Sequence, residues 1–467
     1  VAIANAGNSV SFTNSAATNI STDGVQGSTV ILNTAGLTQT GAITATSLDV
    51  NNSAGAVVLT NAANSLTDVA IANAGNSVSF TNSAATNIST EGVQGNLVTL
   101  NTVGLTQTGT IDASVKLTVT NTQGDVTLTK LNKITAIEIS NPSGAVDVKN
   151  VESVSVNGSG ITGNSVLLDV TGDLNAIADI KSSTSFDATT TGKAAFTSVT
   201  ASGGILKIDA GSDVSVQNSL AAQGDINVAS DGSVTINQVS VEPSSVGSVV
   251  ISGSGAVELD QVSAPQGSIT ISGGADTELT GTTNVGTDLN IDSAGSVTIG
   301  NATVGNKAVI QAAGDVEVGT KLETAADMII DATGGFYVST LTDGVAESAT
   351  EIDLRNVDGD VRLINGGIIT APSVLLREGA AIGIGAPATR SSSLEEAFAR
   401  INDPNDLPTL PNAPYEIVVA DDIQLSNTIT VNRPVTIRGG TSDASILGST
   451  TLTDGMVLSS SASGSTI

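Results

Sequence analysis

The chain has 467 residues, a net charge of −29, and no Cys, His or Trp. The lack of His and Cys excludes a Ser-His-Asp triad, a Cys-His nucleophile and ordinary zinc or haem sites. The negative charge argues against nucleic acid and anionic membrane surfaces as partners, because both require a basic face. The apolar residues come in short alternating runs, so we also expect no membrane insertion in this segment.

The N-terminal part of the chain, 1–113, contains a long internal repeat. Residues 1–45 match residues 69–113 at 38 of 45 positions, with an offset of 68. Duplication of a whole unit is typical of solenoids, in which each repeat contacts only its neighbours. Alternating runs such as SVSFTN (9–14) and TVILNT (29–34) predict short strands that end in turns. We expect each 68-residue repeat (1–68, with the copy recognisable over 69–113) to hold three coils of roughly 22–23 residues.

The middle of the chain repeats a looser motif, in which a glycine precedes an aliphatic–polar–aliphatic triplet. Examples are GDVTL (124–128), GDINV (224–228), GSVTI (295–299) and GDVEV (314–318). Glycine suits the corner, and the two aliphatic residues point to the same face of a strand. The spacing of the motifs predicts about 19–23 residues per turn.

These patterns favour a stacked fold over a sandwich or a barrel. Aromatic residues are 2% of the chain, too few for a typical core between two sheets. In a stacked fold, Asn61, Asn64, Asn73 and Asn76 would form hydrogen-bonded ladders at the corners. The sequence therefore predicts an all-β protein, a right-handed parallel β-helix (β-solenoid).

Residues 386–414 interrupt the strand pattern. The segment SSSLEEAFARIND predicts one short helix near 391–403, capped by Ser393, with an apolar stripe along one side. A Pro-rich stretch follows, and strand-like runs resume at residue 415. We therefore divide the chain into a repeat β-solenoid over 1–385, a helix and Pro-rich boundary over 386–414, and the start of a second β-solenoid segment over 415–467. We expect the second segment to be truncated and the chain to come from a longer protein.

Two resemblances accompany these patterns. The run LTQTGAITATSLDVNNSAGAVVLTNAANSLTDVAIANAG (37–75) resembles the repeats of filamentous-haemagglutinin-like adhesins and autotransporter passengers, across 1–114 and more diffusely to 385. That resemblance implies an exported bacterial surface protein with a right-handed parallel β-helix. Residues 391–467 are similar to the start of pectin-lyase-like β-helix domains, in which a short helix caps the open end. There the strand PVTIRG (434–439) would begin the first coil.

Catalysis in this chain would depend on Asp, Glu, Lys, Arg, Ser, Thr or Tyr. Asp421 and Asp422 are adjacent on a predicted strand and point to opposite faces, so they do not form a catalytic pair. Asp358 and Asp360, in NVDGDVRL, are typical of a turn and are the candidate calcium ligands. The alternative for them is a solvated acidic surface. All seven Arg lie between Arg355 and Arg438, and we expect solvated pairs with neighbouring acids.

We assign no catalytic and no cofactor-binding residue, and Ca²⁺ is the one cofactor left open. The expected function is a non-enzymatic, extracellular structural or adhesive protein, a rigid stalk or filament segment of a large bacterial surface adhesin. Its partners would be further copies of itself, or glycans or proteins of a host or matrix surface. The alternatives are a pectin-lyase-like carbohydrate-active enzyme and a self-assembling extracellular fibre or matrix subunit.

Overall fold

The computed structural model describes residues 1–5, 7–339, 345–364 and 367–377, together with the backbone of seven further strands between residues 382 and 458. All regular structure in these residues is β-strand, and they contain no helix. The predicted helix near 391–403, the Pro-rich boundary, Asp421 and Asp422 lie outside the described residues. The chain divides into two compact units, Val1–Gly274 and Ala275–Ile467.

The strands of the first unit are β1 (Ile3–Ala4), β2 (Val10–Thr13), β3 (Thr18–Ile20), β4 (Val25–Gln26), β5 (Thr29–Thr34), β6 (Leu37–Gln39), β7 (Ile43–Asn52), β8 (Val57–Leu59), β9 (Ser65–Ala72), β10 (Val78–Thr81), β11 (Thr86–Thr102), β12 (Leu105–Gln107), β13 (Ile111–Asn121), β14 (Val126–Ile134), β15 (Ala136–Asn141), β16 (Val146–Asn150), β17 (Val154–Gly163), β18 (Val166–Val170), β19 (Leu174–Ala176), β20 (Ile180–Ser182), β21 (Phe186–Thr190), β22 (Ala194–Ala201), β23 (Leu206–Ala210), β24 (Val214–Ala222), β25 (Ile226–Ser230), β26 (Val234–Val241), β27 (Val249–Gly253), β28 (Val257–Ala264) and β29 (Ile269–Gly273).

The strands of the second unit are β30 (Thr277–Val285), β31 (Leu289–Ser293), β32 (Val297–Val304), β33 (Ala308–Ala312), β34 (Val316–Thr324), β35 (Met328–Ala332), β36 (Phe336–Ser339), β37 (Val345–Ser348), β38 (Glu351–Val357), β39 (Val361–Ile364), β40 (Ile368–Thr370), β41 (Ser373–Leu376), β42 (Ile382–Ile384), β43 (Tyr415–Val419), β44 (Ile423–Leu425), β45 (Ile429–Val431), β46 (Val435–Gly439), β47 (Ile446–Gly448) and β48 (Met456–Leu458).

Within each unit the strands pair in parallel with the strands of the coils above and below, which is the arrangement of a parallel β-solenoid. One ladder of the first unit climbs in equal steps through Val146, Val166, Phe186, Leu206 and Ile226. A ladder of the second unit joins Leu289, Ala308 and Met328. The two units together hold about 18 turns, so the predicted solenoid class is confirmed. The predicted right-handedness stays a prediction.

A coil has three sides, and the coil that begins at β23 shows them clearly. The strand β23 forms the first side, and β24 bends to supply the other two. The bend lies at a register shift between Val216 and Leu220 in the pairing of β24 with β26. Alternation of buried and outward residues along each side follows from the two-residue period of a strand. The core is therefore a stack of aliphatic ladders, with occasional aromatic layers such as the edge-to-face pair Phe186–Phe196 at 5.9 Å.

The 68-residue period is longer than three coils, contrary to the coil length predicted from the sequence. From Val10 the register leads to Val30, then to Leu48 and then to Val69, one coil at each step. Three coils therefore end nine residues before Val78, the copy of Val10. Those nine residues form one further side of the coil.

The C-terminal strands of the second unit also pair in parallel. The strands β43, β44 and β45 pair with β46, β47 and β48, in that order, as three two-stranded sheets. This pattern is what two stacked coils produce. The predicted domain boundaries at 385 and 415 stay predictions.

Candidate functional site

A network of buried side-chain amides runs through the core of the first unit. Asn132 is fully buried, and its amide nitrogen donates to Oε1 of Gln107 (3.0 Å) and to the carbonyl oxygens of Leu128 (2.9 Å) and Lys149 (3.0 Å). Its Oδ1 accepts from Nε2 of Gln107 (2.9 Å) and from the backbone N–H of Ile111 (2.8 Å). One side chain thus satisfies backbone groups that a coil corner leaves without ladder partners.

The same network occurs one repeat earlier. Asn64 donates to Gln39 (2.8 Å) and to the carbonyl of Thr81 (3.0 Å), and it accepts from Gln39 (2.9 Å) and the N–H of Ile43 (2.8 Å). A second kind of link joins Asn52 to Asn73 at 2.8 Å. The predicted ladder of like residues is confirmed for Asn73, which bonds to Asn52 on the neighbouring coil. It is wrong for Asn64, whose side-chain partner is Gln39.

The glutamine partners were missed by sequence reasoning. Gln39 and Gln107 lie in the runs LTQTG at 37–41 and 105–109, where alternation places the glutamine on the same face as the core leucine. A polar residue at a core-facing position of a strand, repeated in both copies, was the available signal. Gln107, Asn64 and Asn132 are buried and Gln39 is half-buried, so these amides act as structural groups that link neighbouring coils.

Aspartates at the turns link successive coils from the outside. Oδ1 of Asp173 accepts from the backbone N–H of Lys193 (2.9 Å), and Oδ1 of Asp213 accepts from that of Ser233 (3.1 Å). Between the two aspartates, Nζ of Lys193 lies 3.0 Å from Asp213, which helps to lower the pKa of that carboxyl. Acidic groups thus alternate with basic or neutral ones along this column, which consists of Ser153, Asp173, Lys193, Asp213 and Ser233. Such alternation keeps like charges from stacking on neighbouring coils.

A second outward surface carries two rows of uncharged side chains. The strands β10, β11 and β13 place hydroxyl and amide side chains in two parallel rows, which we call the hydroxyl face: Ser79, Thr99 and Thr118 in one row and Thr81, Asn101 and Thr120 in the other. All six side chains are uncharged, and on the next coil the row through Thr118 continues with Glu138, which pairs with Lys116. The face therefore offers hydrogen-bond donors and acceptors at the regular spacing of stacked strands, about 4.8 Å.

The two candidate calcium ligands lie near each other in the second unit, and each is engaged by an arginine. Nη1 of Arg377 lies 2.9 Å from Oδ1 of Asp358, and Nε of Arg362 donates to Oδ2 of Asp360 (2.9 Å). A third pair joins Arg355 to Asp353 through two hydrogen bonds (2.9 and 2.7 Å). The expected arginine–acid pairs are thus confirmed for the three arginines whose side chains are described. Calcium binding at Asp358 and Asp360 stays an untested hypothesis beside its alternative, a solvated acidic surface.

In this arginine-rich region the pKa of Asp353 favours the charged, paired carboxylate. The hydrogen bond from Arg355 lowers the pKa of Asp353 and raises that of the guanidinium itself. Burial, together with the charges of Asp315 and Asp360, raises the pKa of Tyr337. A general acid needs a carboxyl that keeps its proton near neutral pH, and Asp353 is shifted the other way.

The described residues contain neither a metal-binding cluster nor a membrane-spanning helix. No group of three or more Asp and Glu side chains in those residues could hold a metal ion. No helix long and apolar enough to span a membrane occurs among them. A scan against protein-family models finds no match, and searches of curated proteins and of solved structures find none either.

Proposed function

We propose that this chain is a non-enzymatic, extracellular structural protein that acts as a rigid stalk or filament segment of a large surface adhesin. The observation that carries the proposal is the parallel ladder that runs through the coils of the first unit, supported inside that unit by the amide network. Each inner coil of this unit is bonded to the coils on both sides, so bending requires many hydrogen bonds to be broken together. The resemblance of residues 37–75 to filamentous-haemagglutinin-like repeats supports the same function and an extracellular location.

The hydroxyl face is the surface that best fits an adhesive role. Its two rows of side chains lie on stacked strands of one rigid unit, so their spacing is preorganised and little ordering entropy would oppose binding. Uncharged hydroxyl and amide groups complement the hydroxyls of neutral polysaccharides. A replacement such as Thr99→Lys should weaken binding to an immobilised neutral polysaccharide, whereas Thr235→Lys, at an outward strand position outside this face, should not.

Stiffness is the property that tests the stalk. The absence of native cysteine allows spin labels to be placed at Ser140 and Ser263, which the register joins in one outward row through six coil steps. At about 4.8 Å per coil we expect a narrow distance distribution centred at about 29 Å. A broad distribution would refute the stalk. Electron microscopy of the native material would separate isolated stalks from the alternative, a self-assembling fibre.

The pectin-lyase-like enzyme is the second candidate, and the cluster of Asp358, Asp360, Arg362 and Arg377 is the observation that favours it. Carboxylates beside arginines are what an enzyme acting on acidic sugars would need. In this cluster, however, each carboxylate is already engaged by a guanidinium. Incubation with acidic polysaccharides should release no unsaturated products. Release that Asp358→Asn abolishes would favour the enzyme over the stalk.

A further inference from the structure

We propose that the exchangeable unit of this solenoid is the 68-residue repeat, three coils plus one side. Adding or removing a unit then changes the length of the solenoid and also turns all following coils of the first unit by one of the three sides. The number of units would therefore set the direction in which a downstream surface points. The rotation follows from the strand register, and its use in an adhesin rests on the proposed function.

A third, diverged copy of the unit supports this inference. At the same offset of 68, residues 137–172 match residues 69–104 at ten of 36 positions. The shared positions carry shared geometry: Gly24, Gly92 and Gly160 have φ angles of 72°, 79° and 81°. A Cβ at each of these glycines would overlap a carbonyl oxygen of the next coil.

A second set of equivalent residues shows the same threefold recurrence. The side-chain amide of Asn5 donates to the carbonyl of residue 9 (3.0 Å), and Asn73 and Asn141 donate to the carbonyls of residues 77 and 145 (2.8 Å each). The glycines Gly36, Gly104 and Gly172 likewise share φ angles of 113°, 100° and 105°. The local structure therefore recurs with the period of the sequence repeat, although most side chains of the third copy have changed.

Equivalent residues of successive copies do not lie above one another, and this offset produces the rotation by one side. Val10 belongs to a ladder that continues through Val30 and Leu48 to Val69. Its copy, Val78, pairs instead with Val57, on the next side of the coil. Each copy thus begins one side further round than the copy before it.

After removal of one unit, each strand at the junction should pair with the strand equivalent to its former partner. In the full chain Asn51 pairs with Ala72, and Thr120 pairs with Ser140. When residues 69–136 are deleted, Ile137 takes the place of Val69 above Leu48, and Ser140 takes the place of Ala72 beside Asn51. Deletion of residues 78–136 removes three whole coils instead and places Ile137 in the position of Val78 above Val57.

The two deletions share the junction at Ile137 and differ by nine residues, so they form a matched pair. Cysteines at positions 51 and 140 should form a disulfide only in the 69–136 deletion, because neighbouring coils bring the Cα atoms to about 4.8 Å. Cysteines at positions 58 and 138 should form one only in the 78–136 deletion, since Val58 pairs with Ser79 in the full chain.

Controls come from the full chain. There Asn51→Cys with Ala72→Cys should link, and Asn51→Cys with Ser140→Cys should not. The proposal requires that the 69–136 deletion retain its β-sheet circular dichroism and form the 51–140 link in most molecules. A folded deletion that forms the 58–138 link instead would overturn it. So would loss of folding in the 69–136 deletion while the 78–136 deletion folds.

Discussion

Replacing Asn132 by leucine tests whether the buried amides hold the coils together. Leucine is close in volume, so the change mainly removes hydrogen bonds. It leaves the N–H of Ile111, the carbonyls of Leu128 and Lys149, and both ends of the Gln107 amide without this partner. Each buried group left unpaired costs about 1–3 kcal/mol, and partial relaxation and the gain of apolar burial offset some of it. We expect a loss of about 3–5 kcal/mol in unfolding free energy.

Hydrogen exchange measures this loss locally, which matters because a solenoid can open one region at a time. The amides of β13 and β14 should exchange faster in Asn132→Leu, with smaller changes in coils further along the first unit. Asn64→Leu should act in the same way on β7 and β8. Asn175→Leu, at an exposed outward position, is the matched control and should change stability by less than about 0.5 kcal/mol. Equal effects of Asn132→Leu and Asn175→Leu would refute the reasoning.

Three further predictions concern the corner glycines, the charge ladders and calcium. Gly160→Ala should lower the free energy of unfolding by about 2 kcal/mol or more, because φ is +81° and a Cβ would overlap the carbonyl oxygen of Asp179. Gly319→Ala should be tolerated, since the atom nearest to its Cβ would be 3.7 Å away. Thermal melts of the two variants measure the difference. The Lys116 ammonium lowers the pKa of Glu138, so this pair stabilises the fold above the ordinary carboxyl pKa and stops doing so as pH falls through the lowered value. Glu138→Gln should therefore lower the free energy of unfolding by up to about 1 kcal/mol at pH 7, and should not change it at strongly acidic pH. A difference in melting temperature between the original chain and Glu138→Gln that does not vary with pH would contradict this. Millimolar Ca²⁺ should leave the melting temperature unchanged, because a guanidinium already engages Asp358; a rise that Asp358→Asn abolishes would establish calcium binding there instead.

The fold class followed from the sequence because a solenoid is built from local, repeating signals. Alternating aliphatic residues define the buried face of each strand, and glycine-containing corners separate the strands. A stacked fold then places like residues over like residues, so the period of the motif gives the coil length of about 20 residues. The arginine–acid pairs were also accessible, because residues such as Arg355 and Asp353 lie two apart on one face of a strand.

The phase between the 68-residue repeat and the coil was decided only by the tertiary structure. Identity between two copies reports equivalent positions in the sequence, but the side of the coil on which each copy begins depends on the summed lengths of sides and corners. The partners of Asn64 and Asn132 were decided in the same way, since Gln39 and Gln107 are distant in sequence and meet them only after a full coil closes. Alternation along a strand is local and readable in the sequence, whereas register between coils is a property of the closed, stacked chain.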